Sequence, residues 1–292
     1  MGENESSIAM EKKASAHPFV ESGLILIVSQ ALVFFLAFRE KYFLESQQIT
    51  PPEIPVGFPL IYFFIAMAVI GIILFLVPRL ALKVVLKIIF LFLFGWGMFV
   101  ALVFSLPVAA ALAMAVVAAL LWLFMPRIWL HNLLLVIALA SMGTVFGVFF
   151  APWTAILFML VISVYDILAV RFGYMMWMVK RLSVSDTLPA FVIPKTISGW
   201  NMDMRKARIF DDESERDFSV LGGGDIGFPL LLVVSVFFAH GFTRSLLVAG
   251  FSLLGLAAAY WVQRKLLKGK PTPALPPISL LSIIGYLIVY FI

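Results

Sequence analysis

The chain has 292 residues, 63% of them hydrophobic and only 13% charged, with a mean hydropathy of +1.09, which excludes a water-soluble domain and describes a polytopic membrane protein. Cysteine is absent and the three histidines, His17, His131 and His240, are scattered, so disulfides, thiol nucleophiles and Cys-ligated centres are excluded and nothing argues for a metal or any other cofactor. The net charge of +5 comes from bases in short loops between apolar runs, where membrane topology explains them better than nucleic acid does.

Residues 1–18 are polar, with three glutamates and two lysines, and carry no pattern of a cleaved secretory signal. The first span is therefore expected to be retained. A helix needs ~20 apolar residues to cross the hydrocarbon, and the apolar stretches predict spans near 19–38, 58–78, 84–104, 107–125, 129–150, 152–172, 222–241, 243–262 and 276–292. Two divisions need an argument. As one helix, 84–125 would be about 63 Å long, twice the bilayer core. Proline is tolerated in a first helical turn and disruptive further in, so the breaks are placed at Ser105-Leu106-Pro107 and Ala151-Pro152.

The expected fold class is thus all-α, with nine transmembrane helices. Taking the loops alternately, 18 Lys and Arg fall on the side of the N-terminus and three (Arg39, Lys41, Arg244) on the other. Bases accumulate on the cytoplasmic side, which predicts a cytoplasmic N-terminus and an exterior C-terminus. The only long hydrophilic segment, 173–221, divides the chain into a six-span part (1–172) and a three-span part (222–292) within one membrane domain. Its basic group (Arg205, Lys206, Arg208) followed by acids (Asp211, Asp212, Glu213, Glu215, Asp217) reads as a solvated, partly disordered cytoplasmic loop.

Two aspartates interrupt the apolar spans, Asp166 in the sixth and Asp225 in the seventh. A carboxylate at membrane depth is expensive and rarely kept for stability alone. Asp166 lies about 9 Å from the cytoplasmic end of its span and Asp225 about 5 Å from the same surface, so antiparallel packing can point both into one gap. Ser163, Ala169 and Gly173 share the Asp166 face, and Gly222, Gly223 and Gly224 precede Asp225; small residues of this kind let membrane helices approach. Two close carboxyls do not both ionise readily and tend to share a proton. The ionised member can then activate water against a carbonyl while the protonated one hydrogen-bonds the carbonyl oxygen, with no covalent intermediate.

Before the last span comes Lys270-Pro271-Thr272-Pro273-Ala274-Leu275-Pro276-Pro277. Its prolines either mark a loop and helix start or hold the chain extended, leaving backbone groups free to pair with a substrate strand. Glu21 and His240 lie close to span ends, from which they reach the interface, and are assigned no role.

Tyr165-Asp166, Gly222-Gly223-Gly224-Asp225 and Pro273-Ala274-Leu275, in that order on spans six, seven and nine, resemble the YD, GxGD and PAL motifs of intramembrane aspartyl proteases, the presenilin and signal peptide peptidase family. The resemblance covers essentially the whole chain. It implies that Asp166 and Asp225 are a catalytic dyad, that Tyr165 and Gly222 to Gly224 support its geometry, and that Pro273, Ala274 and Leu275 engage substrate. The substrates implied are transmembrane-helix proteins in the lipid bilayer. The cytoplasmic N-terminus resembles presenilins rather than signal peptide peptidases. The compact 173–221 loop resembles a microbial, archaeal-type homologue, implying a multi-pass protein of a prokaryotic plasma membrane that works without accessory subunits; homo-oligomerisation and self-cleavage of the loop stay open. Two other readings are weighed: a cation channel or transporter using the aspartates, and a prepilin-type peptidase, which shares a GxGD string but neither the nine-span layout nor the Pro273-Ala274-Leu275 signal.

Overall fold

The computed structural model describes residues 2–52, 54, 57–174, 177, 187–207, 217–265 and 273–291, with side chains from Pro18 onward other than those of 58, 79 and 80. Among them are nine α-helices: α1 (Gly2–Ser46), α2 (Gly57–Leu76), α3 (Arg79–Val103), α4 (Val108–Phe124), α5 (Ile128–Phe149), α6 (Pro152–Arg171), α7 (Gly223–His240), α8 (Phe242–Lys265) and α9 (Leu275–Phe291). The breaks fall where proline dictates. Pro107 is the N-cap of α4, and Pro152 is the first residue of α6, where its missing amide removes nothing from the ladder.

Seven helices are long and apolar enough to cross a membrane, while α4 and α9 are apolar but have 17 residues each, about 25 Å at 1.5 Å per residue. The first helix outruns its predicted span, continuing to Ser46. Hydropathy marks only the apolar part of a helix. Beyond it the backbone ladder continues through good helix formers, with Lys41 and Glu45 one turn apart at 3.9 Å.

The core is built around α5 and α7. Of their most apolar 18 residues, 56% and 61% are buried, against 6% for α2. Gly143 and Gly147 of α5 form a G-x-x-x-G pair on which α7 rides: a Cβ at Gly147 would lie 2.5 Å from Val234 Cβ and Cγ1, and one at Gly143 3.3 Å from Leu230 Cβ. Lipid supplies no hydrophobic drive between helices, so such backbone approach is what holds them.

The segment between α6 and α7 corrects two expectations. It is not simply a solvated loop, and the chain is not purely α-helical. Strand β1 (Ala190–Pro194) is buried throughout and pairs antiparallel with β2 (Phe218–Gly222), in the register Ala190 with Gly222 through Pro194 with Phe218. Val192, Leu188, Met204 and Phe218 share a cluster with Leu74, Leu82 and Ile128, so the segment has an apolar core of its own against the helix ends. A 3-10 turn (Ile197–Asn201) follows β1. Beyond it Ile128 N–H donates to Met202 O (3.0 Å), Met204 N–H donates to Pro126 O (2.8 Å), and Arg127 donates to Asn201 Oδ1 (2.5 Å). Arg208 and most of the acidic run (Asp211, Asp212, Glu213 and Glu215) lie outside the described residues, as do Lys270, Pro271 and Thr272.

Candidate active site

Asp225 owes its position to a strand that turns directly into a helix. Gly222 is both the last residue of β2 and the N-cap of α7. In the β1–β2 register Gly222 faces away from β1's hydrogen-bonding edge, and its N–H is donated to the Asp225 carboxyl instead. Asp225 is three residues past the cap and reaches back to it, as the acidic member of a capping box does. The next amide, Gly223 N–H, donates to Pro189 O at 3.0 Å and continues the ladder.

The glycines have separate jobs. A Cβ on Gly222 would sit 2.9 Å from Asp225 Oδ2, and one on Gly223 would sit 3.0 Å from the Pro189 carbonyl oxygen. Gly224 is exposed, and a Cβ there would meet only the Phe228 ring. On the protein side, Leu139 of α5 packs under this turn, 3.7 Å from a Cβ at Gly223 and 3.2 Å from one at Gly227.

Asp166 is half-buried on α6, and its carboxyl accepts the backbone N–H of Leu275. Leu275 is the first residue of α9, and Pro276 and Pro277 follow it, so prolines occupy the next two positions of the first turn and carry no amide. The Leu275 side chain is 2% exposed and locked against Phe158 and Ile162 of α6. One turn before Asp166, Ser163 donates to Ser279 Oγ at 2.9 Å, tying α6 to α9 again. Leu275 is therefore not an extended residue with a free amide; it starts a helix, and Asp166 already holds that amide. Pro273 and Ala274 are half-buried just ahead of it.

Each aspartate thus sits at a helix N-terminus, Asp225 at that of α7 and Asp166 at that of α9. Helix ends carry partial positive charge and unsatisfied amides, which favour carboxylates. The two carboxyls are close enough to interact electrostatically.

Ser163 and Ala169 are buried on the Asp166 face as expected. Gly173 instead adopts φ +71° just past the end of α6, with no atom within 4 Å of a Cβ, so it terminates the helix in a left-handed turn rather than allowing close approach. The Tyr165 ring is 36% exposed, meets Tyr174 edge-on at 6.5 Å and hydrogen-bonds its hydroxyl. That contact ties the chain leaving α6 to the turn of helix that carries Asp166. Tyr174 also lines an open cleft of ≈ 790 Å³ between α2 (Ala68, Gly71, Ile72) and Phe172, Gly173 and Trp177, which neither aspartate lines.

Three supports were not evident from the chain alone. Tyr260 of α8 shares a hydrogen bond with Ser22 of α1 at 2.6 Å and another with Ser219 of β2. His131 and Asn132 of α5 bond β1. The third is the Gly143 and Gly147 pair under α7, and only its spacing carried a readable signal.

The family model described as signal-peptide peptidase, presenilin aspartyl protease matches residues 22–292. No curated protein matches the chain in sequence. Two solved structures of a presenilin family intramembrane aspartate protease superpose on it. The form in space group C222 has a TM-score of 0.61 at 19% identity, covering 93% of this chain and 96% of that one. The form in space group P2 has a TM-score of 0.59 at 20% identity, covering 92% and 96%.

Proposed function

The chain belongs to the signal-peptide peptidase, presenilin aspartyl protease family, and from that premise we propose that it is an endopeptidase cutting transmembrane helices inside the membrane, with Asp166 and Asp225 as its dyad. The observation that carries the proposal is that two carboxyls from two apolar helices, close enough to interact electrostatically, each accept a backbone amide at a helix N-terminus. An isolated structural aspartate needs one hydrogen-bonding partner. Two interacting carboxyls, each with its own amide donor, are suited to share one proton and polarise water.

In the mechanism, one carboxylate takes a proton from water as the oxygen attacks the scissile carbonyl, and the other carboxyl donates to the developing oxyanion. Collapse expels the amine, which takes the proton that came from water, while the hydroxyl formed on the carbonyl oxygen returns its proton to the other carboxyl and restores the pair. Amide donation from Gly222 and Leu275 holds each side chain in one orientation. It also keeps part of the negative charge compensated in surroundings where water is scarce.

A helix must unwind before its carbonyls can be attacked, and unwound backbone in lipid needs new partners. In the β1–β2 register, Val220 N–H and C=O point away from β1, and no described residue pairs with them. This edge leads straight to Asp225, so it supports strand addition by the substrate, alongside Pro273 and Ala274. The cleft beside α2 opens next to the Tyr165–Tyr174 contact, which supports entry from that side. We place all nine helices across the membrane, with the N-terminus cytoplasmic by the charge asymmetry, in a prokaryotic plasma membrane. The chain acts without accessory subunits.

The test is incubation of the purified chain with a reporter transmembrane peptide in H₂¹⁸O, followed by mass spectrometry. The proposal expects a cut within the apolar stretch and one ¹⁸O in the new carboxyl group. No cut across several reporters, with measurable ion flux through reconstituted vesicles, would contradict it.

A further inference from the structure

Strand β1 has one partner strand, yet its other edge is not left open. That edge faces α5. Asn132 Nδ2 donates to Val192 O at 2.7 Å, and Val192 N–H donates to Asn132 Oδ1 at 3.0 Å. Two residues back along the strand, the adjacent His131 donates Nε2–H to Ala190 O at 3.2 Å. Asn132 is 4% exposed and His131 fully buried. The Asn132 amide therefore does for Val192 what a third strand would do, meeting both backbone groups of one residue with one side chain. Few side chains can; it takes a donor and an acceptor in one plane at that reach.

The strand so held makes no described contact with either aspartate side chain. Its continuation does. Pairing carries β1's position to β2, Pro189 O takes the amide of Gly223, and Gly222 N–H holds the Asp225 carboxyl. Farther into the membrane the same helix α5 fixes α7 through Leu139, Gly143 and Gly147. So α5 grips the chain on both sides of Asp225: at the helix body by packing, and at the strand by Asn132. Packing holds the helix body, and the bonds to β1 hold the strand whose pairing leads into the turn at Gly222 and Gly223.

We infer that Asn132 is a positioning residue for the proposed proteolysis, setting where Asp225 stands relative to Asp166 through β1 and β2 without touching substrate. The inference rests on the proteolytic reading for its kinetic arm only. Misplacing a reacting group by about 1 Å can lower turnover ~100-fold while substrate binding persists. Loss at Asn132 should therefore appear in kcat rather than KM.

The experiment has two arms on the full chain. In the first, reporter cleavage is measured for wild type, Asn132→Leu and Thr144→Val; Thr144 is buried on the same helix but bonds only Ala140 O, at 2.7 Å. Asn132→Leu should lower kcat about tenfold or more with KM within about twofold, and Thr144→Val should change neither. In the second arm the aspartates become Asp166→Cys and Asp225→Cys, the only thiols in a chain that has no cysteine. Their cross-linking by a short bifunctional reagent should slow about fivefold when Asn132→Leu is added, as expected for a displaced pair. If Asn132→Leu does not fold, Asn132→Asp, which keeps the acceptor and loses the donor, carries both readouts. Wild-type kcat and cross-linking in the Asn132 variant, or an equal loss in Thr144→Val, overturns the inference. If wild type cuts nothing, the proteolytic reading fails, and the cross-linking arm alone decides whether Asn132 sets the pair.

Discussion

Replacing Gly222 with alanine separates the chemistry from the fold. The backbone at Gly222 has φ −60° and ψ 138°, which alanine adopts without strain. The new Cβ would stand 2.9 Å from Asp225 Oδ2, roughly 0.6 Å inside an ordinary van der Waals contact of ~3.5 Å. The atom that must yield is the free end of a side chain, so folding loses little, within about 1 kcal/mol for an N-cap substitution. That atom is also the one the reaction uses. Turning it away lengthens the bond from Gly222 N–H and shifts the carboxylate by a good fraction of the ~1 Å that can slow turnover 100-fold. Gly222→Ala should therefore cut reporter turnover about 10- to 100-fold, with a thermal midpoint in detergent close to wild type. Full activity would refute the reasoning. So would a midpoint falling in step with activity, since the glycine would then be structural.

Gly147→Ala should do the reverse of Gly222→Ala. Its Cβ would meet Val234 at 2.5 Å between two packed helices, so an overpacking penalty of about 1–3 kcal/mol is expected, read as a lowered thermal midpoint. Leu275→Ala keeps the backbone amide but empties the contact with Phe158 and Ile162, and should lose about 2–5 kcal/mol in denaturant titration; unchanged stability would remove Leu275 as an anchor of α9. Outside the membrane, the Arg205 guanidinium beside Asp203, at 2.5 Å, holds its carboxyl below the usual carboxylate range. A depressed value contributes stability above the ordinary Asp range near 4, lost as pH falls through the folded value. Arg205→Ala should thus reduce stability at pH 7 by at most about 1 kcal/mol, since the pair is solvated, and leave the most acidic conditions unaffected.

Much of the molecule is readable in the chain because membrane physics is unforgiving. Pro107 and Pro152 mark the helix starts where they are expected, since a missing amide is tolerated only there. Asp166 and Asp225 are conspicuous for a similar reason: lipid offers a carboxylate no water. What stayed hidden depends on contacts distant in sequence. Ala190–Pro194 is five residues, and nothing in it names Phe218–Gly222 as its partner. Only the third dimension reveals that Asn132 completes the strand's edge. The prolines around Leu275 allowed either a helix start or an extended strand, and only the folded chain shows the helix start, with the Leu275 amide held by Asp166. Gly173 sat on the right face by spacing but lies past the helix end, where its positive φ matters and its small size does not.

The most direct test of the central claim compares wild type with Asp166→Asn and Asp225→Asn, purified and folded alike, on one reporter transmembrane peptide. The account predicts that wild type cuts and that each single substitution abolishes cutting, because one ionised and one protonated carboxyl are both required. Cleavage surviving in either variant would contradict the dyad.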